Sequence, residues 1–259
     1  TLNPHLNGQA KARLILRNVY ESLLANDEQG AWLPWLATQY EVLDGGLRYV
    51  FSLREGVRFS AGQPLDAAAV ALNFTRVKDA SYSKSLSSGP VSRLLKAEVL
   101  DPLRVQLTLS EVYAPFLNFA GTLELLSPAA FESKQLQSGG VEIAGTGPFV
   151  LASYKRGQEL SLKRNPDYNW APANAPQQGP ALLDEVVYRF LPEDAVRTGA
   201  LLSGQVDVIE GVSGNDTGAV QGDPQWQYLR AFNSGTPYTL FLNVDYGPTQ
   251  DVRVRQALQ

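Results

Sequence analysis

Cysteine and methionine are both absent from this 259-residue chain, and histidine occurs once, as His5. Zero cysteines remove disulfides, thiolate nucleophiles and cysteine-held metals together, while leaving the compartment open. A lone imidazole would have to fill every general-base role, so a Ser-His-Asp or Cys-His arrangement has almost nothing to draw on. Direct metal ligation normally recruits several His or Cys side chains, and one is too few. Lacking methionine, the chain is expected to have been processed or cut rather than to open at a native initiator. No apolar run reaches the ~18 residues that suggest a membrane span, and no charged-then-apolar signal segment opens the chain. Basic residues are in the minority, 22 Lys and Arg against 26 Asp and Glu, for a net charge of −4. Nucleic-acid binders concentrate positive charge on a face, so nucleic acid is not an expected partner.

What is present is a globular composition, 44% hydrophobic and 19% charged, in a chain long enough for more than one core. Its most informative run begins at Gly46. There Tyr49, Phe51 and Leu53 alternate as in a half-buried strand. Glu55-Gly56 turns the chain, Val57-Arg58-Phe59 opens a second short strand, and Gly62-Gln63-Pro64 punctuates again. Asp66 is then placed to cap a helix carrying Val70, Leu72, Phe74 and Val77. Together these predict a small α+β subdomain.

Upstream, a polar opening loop from Asn3 to Ala10 leads to Leu14–Leu24, where Ile15, Val19 and Leu23 recur at helical spacing and predict an amphipathic helix. Downstream, strands are expected at Ala97–Leu100 and Arg104–Leu109 and a helical piece at Phe116–Leu123. Gly139-Gly140 and Gly145-Thr146-Gly147-Pro148 break the pattern. A hairpin of Phe149–Tyr154 with Glu159–Arg164, a strand at Val186–Phe190, and a helix at Asp194–Ser203 follow, with strands at Val206–Ile209 and Tyr238–Val244. Trp170–Pro180, rich in proline, reads as an irregular surface loop. The last residues, Val252–Gln259, start a helix that stops without a cap, which makes Gln259 an expected artificial boundary.

No constellation carries catalysis. There is no G-x-S-x-G, and Ser87-Ser88-Gly89-Pro90 and Ser203-Gly204 read as turns. The pairs Asp184-Glu185 and Glu193-Asp194 have ordinary uses on a strand and at a helix start. Gly145-Thr146-Gly147-Pro148 lacks the Lys-Ser/Thr of a phosphate loop, and Pro148 removes an N–H that a phosphate would need.

The run from Gly46 closely resembles the signature of the peptide/nickel class of ABC-transporter substrate-binding proteins, solute-binding protein family 5. The matching positions are Phe51, Leu53, Arg54, Gly56, Val57, Phe59, Gly62, Pro64, Leu65 and Ala67. Further matches occur in order at Leu2-Asn3-Pro4-His5, Val19–Leu24, Leu33–Ala37, Gly145–Phe149, Arg164–Tyr168, Ser203–Asp207 and Asp251–Leu258.

The resemblance implies an α/β, periplasmic-binding-protein-like fold (type II, class C cluster) with two lobes, of which this chain covers the first lobe and its inserted α+β subdomain. By the same resemblance, residues 1–38 open the first lobe, 39–144 form the insertion, 145–243 return to the lobe and 244–259 begin the second. It implies an extracytoplasmic, periplasmic or cell-envelope protein that captures a peptide or peptide-like solute and delivers it to a membrane ABC permease. It implies no enzymatic activity, no cofactor, no membrane span and a monomer at full length. Ligand contacts carried over residue by residue are Asn7, Gly8, Gln9 and Ala10 in the opening loop, Glu210 and Gly211, and Tyr238. Two alternatives stay open: a ligand-sensing domain of a transcriptional regulator, and nickel-complex binding. Against nickel, the stretches Ser87–Pro90 and Gly121–Glu124 contain no Arg or Trp where the nickel branch uses such residues.

Overall fold

A computed structural model describes residues 2–7, 10–82, 89–133, 144–230 and 239–258. The chain divides into two compact units, Thr1–Phe190 and Leu191–Gln259.

In the first unit, helix α1 (Ala10–Leu16) is followed by a small β1 (Leu24–Asn26)/β2 (Trp32–Pro34) pair. A four-stranded antiparallel sheet comes next, in the order β3 (Ala37–Leu43), β4 (Arg48–Leu53), β6 (Arg104–Leu109), β5 (Leu94–Asp101). Tyr49, Phe51 and Leu53 of the inner strand β4 are buried, as their alternation predicts. Helix α2 (Ala67–Lys78) packs on this sheet and brings Val70, Phe74 and Val77 to the core. Asp66 caps it, accepting the Ala69 N–H at 2.8 Å. Helices α3 (Phe116–Thr122) and α4 (Pro128–Glu132) lead to a three-stranded antiparallel sheet, β7 (Phe149–Lys155), β8 (Glu159–Arg164), β9 (Glu185–Arg189). Phe149, Leu151, Leu160 and Leu162 of this sheet share a second core with Leu16, Val19 and Tyr20.

Three expectations for this unit are corrected. The helix predicted over Leu14–Leu24 stops at Leu16, and Val19–Leu24 is not helical. Asn18 turns its side-chain amide back to the Leu14 carbonyl at 2.8 Å, a local bond that competes with further helix. The following backbone is claimed from far away: Gly147 N–H donates to Val19 O, Phe149 N–H to Asn18 O and Leu125 N–H to Glu21 O. Val57–Phe59 makes only the isolated bridge Arg58–Pro64 instead of a strand; Phe59 N–H donates to the Gln63 carbonyl and Leu65 N–H to that of Val57, and the turn closed by Gly62 N–H on the Phe59 carbonyl ends the pairing there. Trp170–Pro180 is irregular as expected, but Trp170 and Ala171 at its head are buried in the core.

In the second unit, α5 (Asp194–Leu202), α6 (Thr217–Gln221) and α7 (Val252–Ala257) are helical. The strand expected at Val206–Ile209 is absent. There Gln205 and Val206 N–H both fold back on the Ala200 carbonyl, and Val208 is 85% exposed. Residues 239–244 likewise carry no strand, because no neighbouring strand among the described residues pairs with them; Tyr238 lies outside the described residues.

Candidate functional site

The opening segment is held by a buried polar chain. Asn3, fully buried, accepts the His5 N–H at 2.9 Å and so caps the 3-10 turn Pro4–Leu6. His5 Nε2 lies 2.7 Å from the Glu124 carbonyl oxygen. A carbonyl only accepts, so Nε2 carries the proton and Nδ1 is left to accept from the Tyr82 hydroxyl at 3.1 Å. The Asn3 amide in turn donates to the Tyr82 oxygen at 3.0 Å. Burial pushes the His5 pKa down to about 4, opposed by the Glu124 hydrogen bond, so the ring is neutral at physiological pH. A few residues on, Arg13 of α1 donates from Nε and Nη2 to Glu124 Oε1 at 3.2 and 3.0 Å.

Between these two attachments lie the expected opening-loop contacts. Asn7 is half-buried and ends the 3-10 turn with an extended backbone, and Ala10 is the first residue of α1. Gly8 and Gln9 lie outside the described residues, as does Tyr238. In the second unit, Glu210 is exposed and precedes Gly211, whose φ is +77° and whose carbonyl accepts Arg197 Nη2 at 3.0 Å.

A second polar centre escaped the sequence reading. Glu21 is 1% exposed, yet its Oε1 accepts the Tyr168 hydroxyl at 2.6 Å and its Oε2 accepts Thr146 Oγ1 at 2.8 Å and Trp170 Nε1 at 2.9 Å. Burial pushes its pKa up to about 8 against the pull of these three donors. With the carboxyl protonated, either hydroxyl can reverse and accept. Gly145 and Gly147 bring Thr146 here because they press against the backbone of Asn18 and Val19. A Cβ on Gly145 would stand 2.0 Å from the Val19 oxygen, and one on Gly147 2.5 Å from the Asn18 oxygen. The glycines therefore serve close backbone approach. The signal in the sequence was the acid itself, set within the apolar run Val19–Leu24.

Neither centre is arranged for catalysis. Both ring nitrogens of His5 are engaged, Glu21 is sealed among its donors, and no group of three or more His, Asp or Glu among the described residues could hold a metal. The crevice lined by Leu2, Ile15, Leu16, Val19, Tyr20, Leu151, Leu160 and Leu162 is almost wholly apolar and belongs to the second core.

A family model of bacterial extracellular solute-binding proteins, family 5 (middle region), matches residues 31–259. The chain belongs to this family. Over 265 residues it is 29% identical to the nickel-binding periplasmic protein of Escherichia coli K12, covering 99% of this chain and 48% of that one. It also resembles the periplasmic binding protein DppA of Helicobacter pylori solved with the peptide STSA, at 26% identity and a TM-score of 0.74, covering 86% of this chain and 46% of that one. The highest likeness in fold among these is to a dipeptide binding protein from Pseudoalteromonas sp. SM9913 solved with Met-Leu, with a TM-score of 0.83 and 22% identity over 99% of this chain and 54% of that one. This family-5 chain thus has the type II periplasmic-binding-protein fold. It spans about half the length of the curated relatives it matches. Family 5 consists of solute-binding proteins, and no helix among the described residues is long and apolar enough to cross a membrane.

Proposed function

We propose that this family-5 chain is the first-lobe portion of an extracytoplasmic, monomeric solute-binding protein that captures a peptide or peptide-like solute and passes it to a membrane ABC permease. Residues 1–38 and 145–243 would form the lobe, 39–144 its insertion and 244–259 the start of a second lobe that closes over the solute. The solute would meet Asn7, Gly8, Gln9 and Ala10, with Glu210, Gly211 and Tyr238 contributing from later in the chain.

The observation that carries this reading is the opening segment itself. Its single histidine and its buried Asn3 are consumed in holding the turn before Asn7. With the Glu124 carboxylate also taken by Arg13, what the described residues at this end of the chain offer is hydrogen-bonding loop groups, which suit an extended peptide backbone. The same occupancy of His5 speaks against direct nickel ligation, despite the likeness to a nickel-binding relative.

Thermal shift of the full-length protein tests it. Trialanine should raise the melting temperature, by the equivalent of about 2.7 kcal/mol at a hundredfold excess over Kd, while glucose and free Ni²⁺ leave it unchanged. A response to glucose or Ni²⁺ alone would overturn the solute class. Replacing Asn7 and Gln9 together by Ala should weaken trialanine binding, at about 0.5–1.5 kcal/mol per lost hydrogen bond. Unchanged affinity would move the site off the opening loop.

A further inference from the structure

Glu124 holds the opening segment twice. Its backbone carbonyl takes His5 Nε2 at 2.7 Å, and its carboxylate takes Arg13 at 3.0 Å. The two attachments come from opposite sides of Asn7 and Ala10. Glu124 is itself 8% exposed and cannot drift, because the chain just after it is pinned from three directions. Leu125 N–H donates to the Glu21 carbonyl at 2.8 Å. Leu126 exchanges two 2.9 Å bonds with the side chain of Asn73, a fully buried residue of α2. Ser127 N–H donates to the Ala144 carbonyl at 3.0 Å. Rigidity therefore runs from α2 through residues 125–127 to Glu124.

The geometry points to Glu124 as a positioning residue for solute binding: it sets the placement of Asn7 and of the first turn of α1 without itself meeting the solute. The inference rests on the proposed peptide reading. A loop fixed before binding loses less conformational freedom when the solute arrives, so its hydrogen bonds translate more fully into affinity. The Arg13 side chain is 42% exposed and regains water if the pair is broken, whereas the Glu124 side chain, 11% exposed, is left nearly buried without its partner, so stability is read beside affinity in the Arg13 variant.

The test uses the full-length protein with trialanine as probe, followed by calorimetry, melting temperature and amide hydrogen exchange. Glu124→Ala and Arg13→Met should each weaken trialanine by about tenfold, with less than additive effect when combined, since both cut one attachment. Exchange should quicken across residues 5–7 and 10–16 in the solute-free variants, with the four-stranded and three-stranded sheets unchanged. The reversed pair Arg13→Glu with Glu124→Arg should recover most of the affinity, which a merely stabilising role would not require. Wild-type affinity in Glu124→Ala, while the Asn7/Gln9 double replacement does weaken trialanine, overturns the positioning role and leaves the site reading standing. Loss of affinity accompanied by an equal fall in melting temperature and no recovery in the reversed pair also overturns it. Failure of trialanine to bind the parent protein overturns the peptide reading and this inference with it.

Discussion

The indole N–H of Trp170 donates to Glu21 Oε2 at 2.9 Å, joining residues 149 positions apart. Three stretches that are separate in the sequence meet at this carboxyl: Val19–Leu24 brings Glu21, Gly145–Phe149 brings Thr146, and the stretch following Arg164 brings Tyr168 and Trp170. Glu21 thus fastens the opening of the chain to the second sheet's connections.

Removing that fastening should be costly. In Glu21→Ala, the Trp170 N–H and the Tyr168 and Thr146 hydroxyls lose a buried partner, and stability should fall by about 3 kcal/mol or more. Gln keeps one acceptor oxygen and adds an amide donor for Tyr168, so Glu21→Gln should lose only about 1 kcal/mol. Urea unfolding of the two variants checks the order; equal losses would argue that volume rather than hydrogen bonding sets the effect.

Glu21 and His5 should also impose opposite pH trends. The Glu21 carboxyl is raised from its ordinary 4.5 to about 8, so its stabilising contribution is complete below about pH 4.5 and is lost as pH rises through 8. His5 is lowered from 6.5 to about 4, so its contribution is complete above pH 6.5 and is lost as pH falls through 4. Of the two, only Glu21 changes between pH 6.5 and 8. The melting temperature should decline across that window in the parent and decline distinctly less in Glu21→Gln. Matching declines would assign the trend to other groups.

Gly145 should tolerate no side chain. Its Cβ would fall 2.0 Å from a backbone oxygen, which cannot rotate aside as a side chain could. Gly145→Ala should lose more than about 3 kcal/mol, beyond the usual range for overpacking. Gly199, where a Cβ would meet nothing within 4 Å, is the matched control: Gly199→Ala lies inside α5 and should be neutral or slightly stabilising. Circular dichroism melts of the pair decide it.

Much of the first unit was legible because its signals are local. The Asp66 cap, the alternation on β4 and the two hairpins β5–β6 and β7–β8 each depend on neighbours in sequence, and each formed close to its expected place. Val19–Leu24 was not legible, since its apolar spacing fits a helix as well as an extended run. The choice was made by N–H groups of Gly147, Phe149 and Leu125, which no local window contains. Trp170 was hidden for the same reason: a proline-rich segment reads as surface until a distant carboxyl is known to need its N–H. The expected solute contacts Asn7 and Ala10 were named only through family resemblance, and nothing in their residue types announced that Glu124 would brace the turns on either side.

The reach of these bonds has a consequence for how the chain is made. The bond from His5 Nε2 must wait for residue 124, and the bond from Trp170 to Glu21 for residue 170. At synthesis rates of about 5–20 residues per second, the interval is on the order of ten seconds. Over that time the Glu21 carboxyl is without the Trp170 N–H, and closing so long a loop is itself slow. The two buried polar centres of the first unit are therefore completed late, after all four strands of the larger sheet, which end at Leu109, have been synthesised.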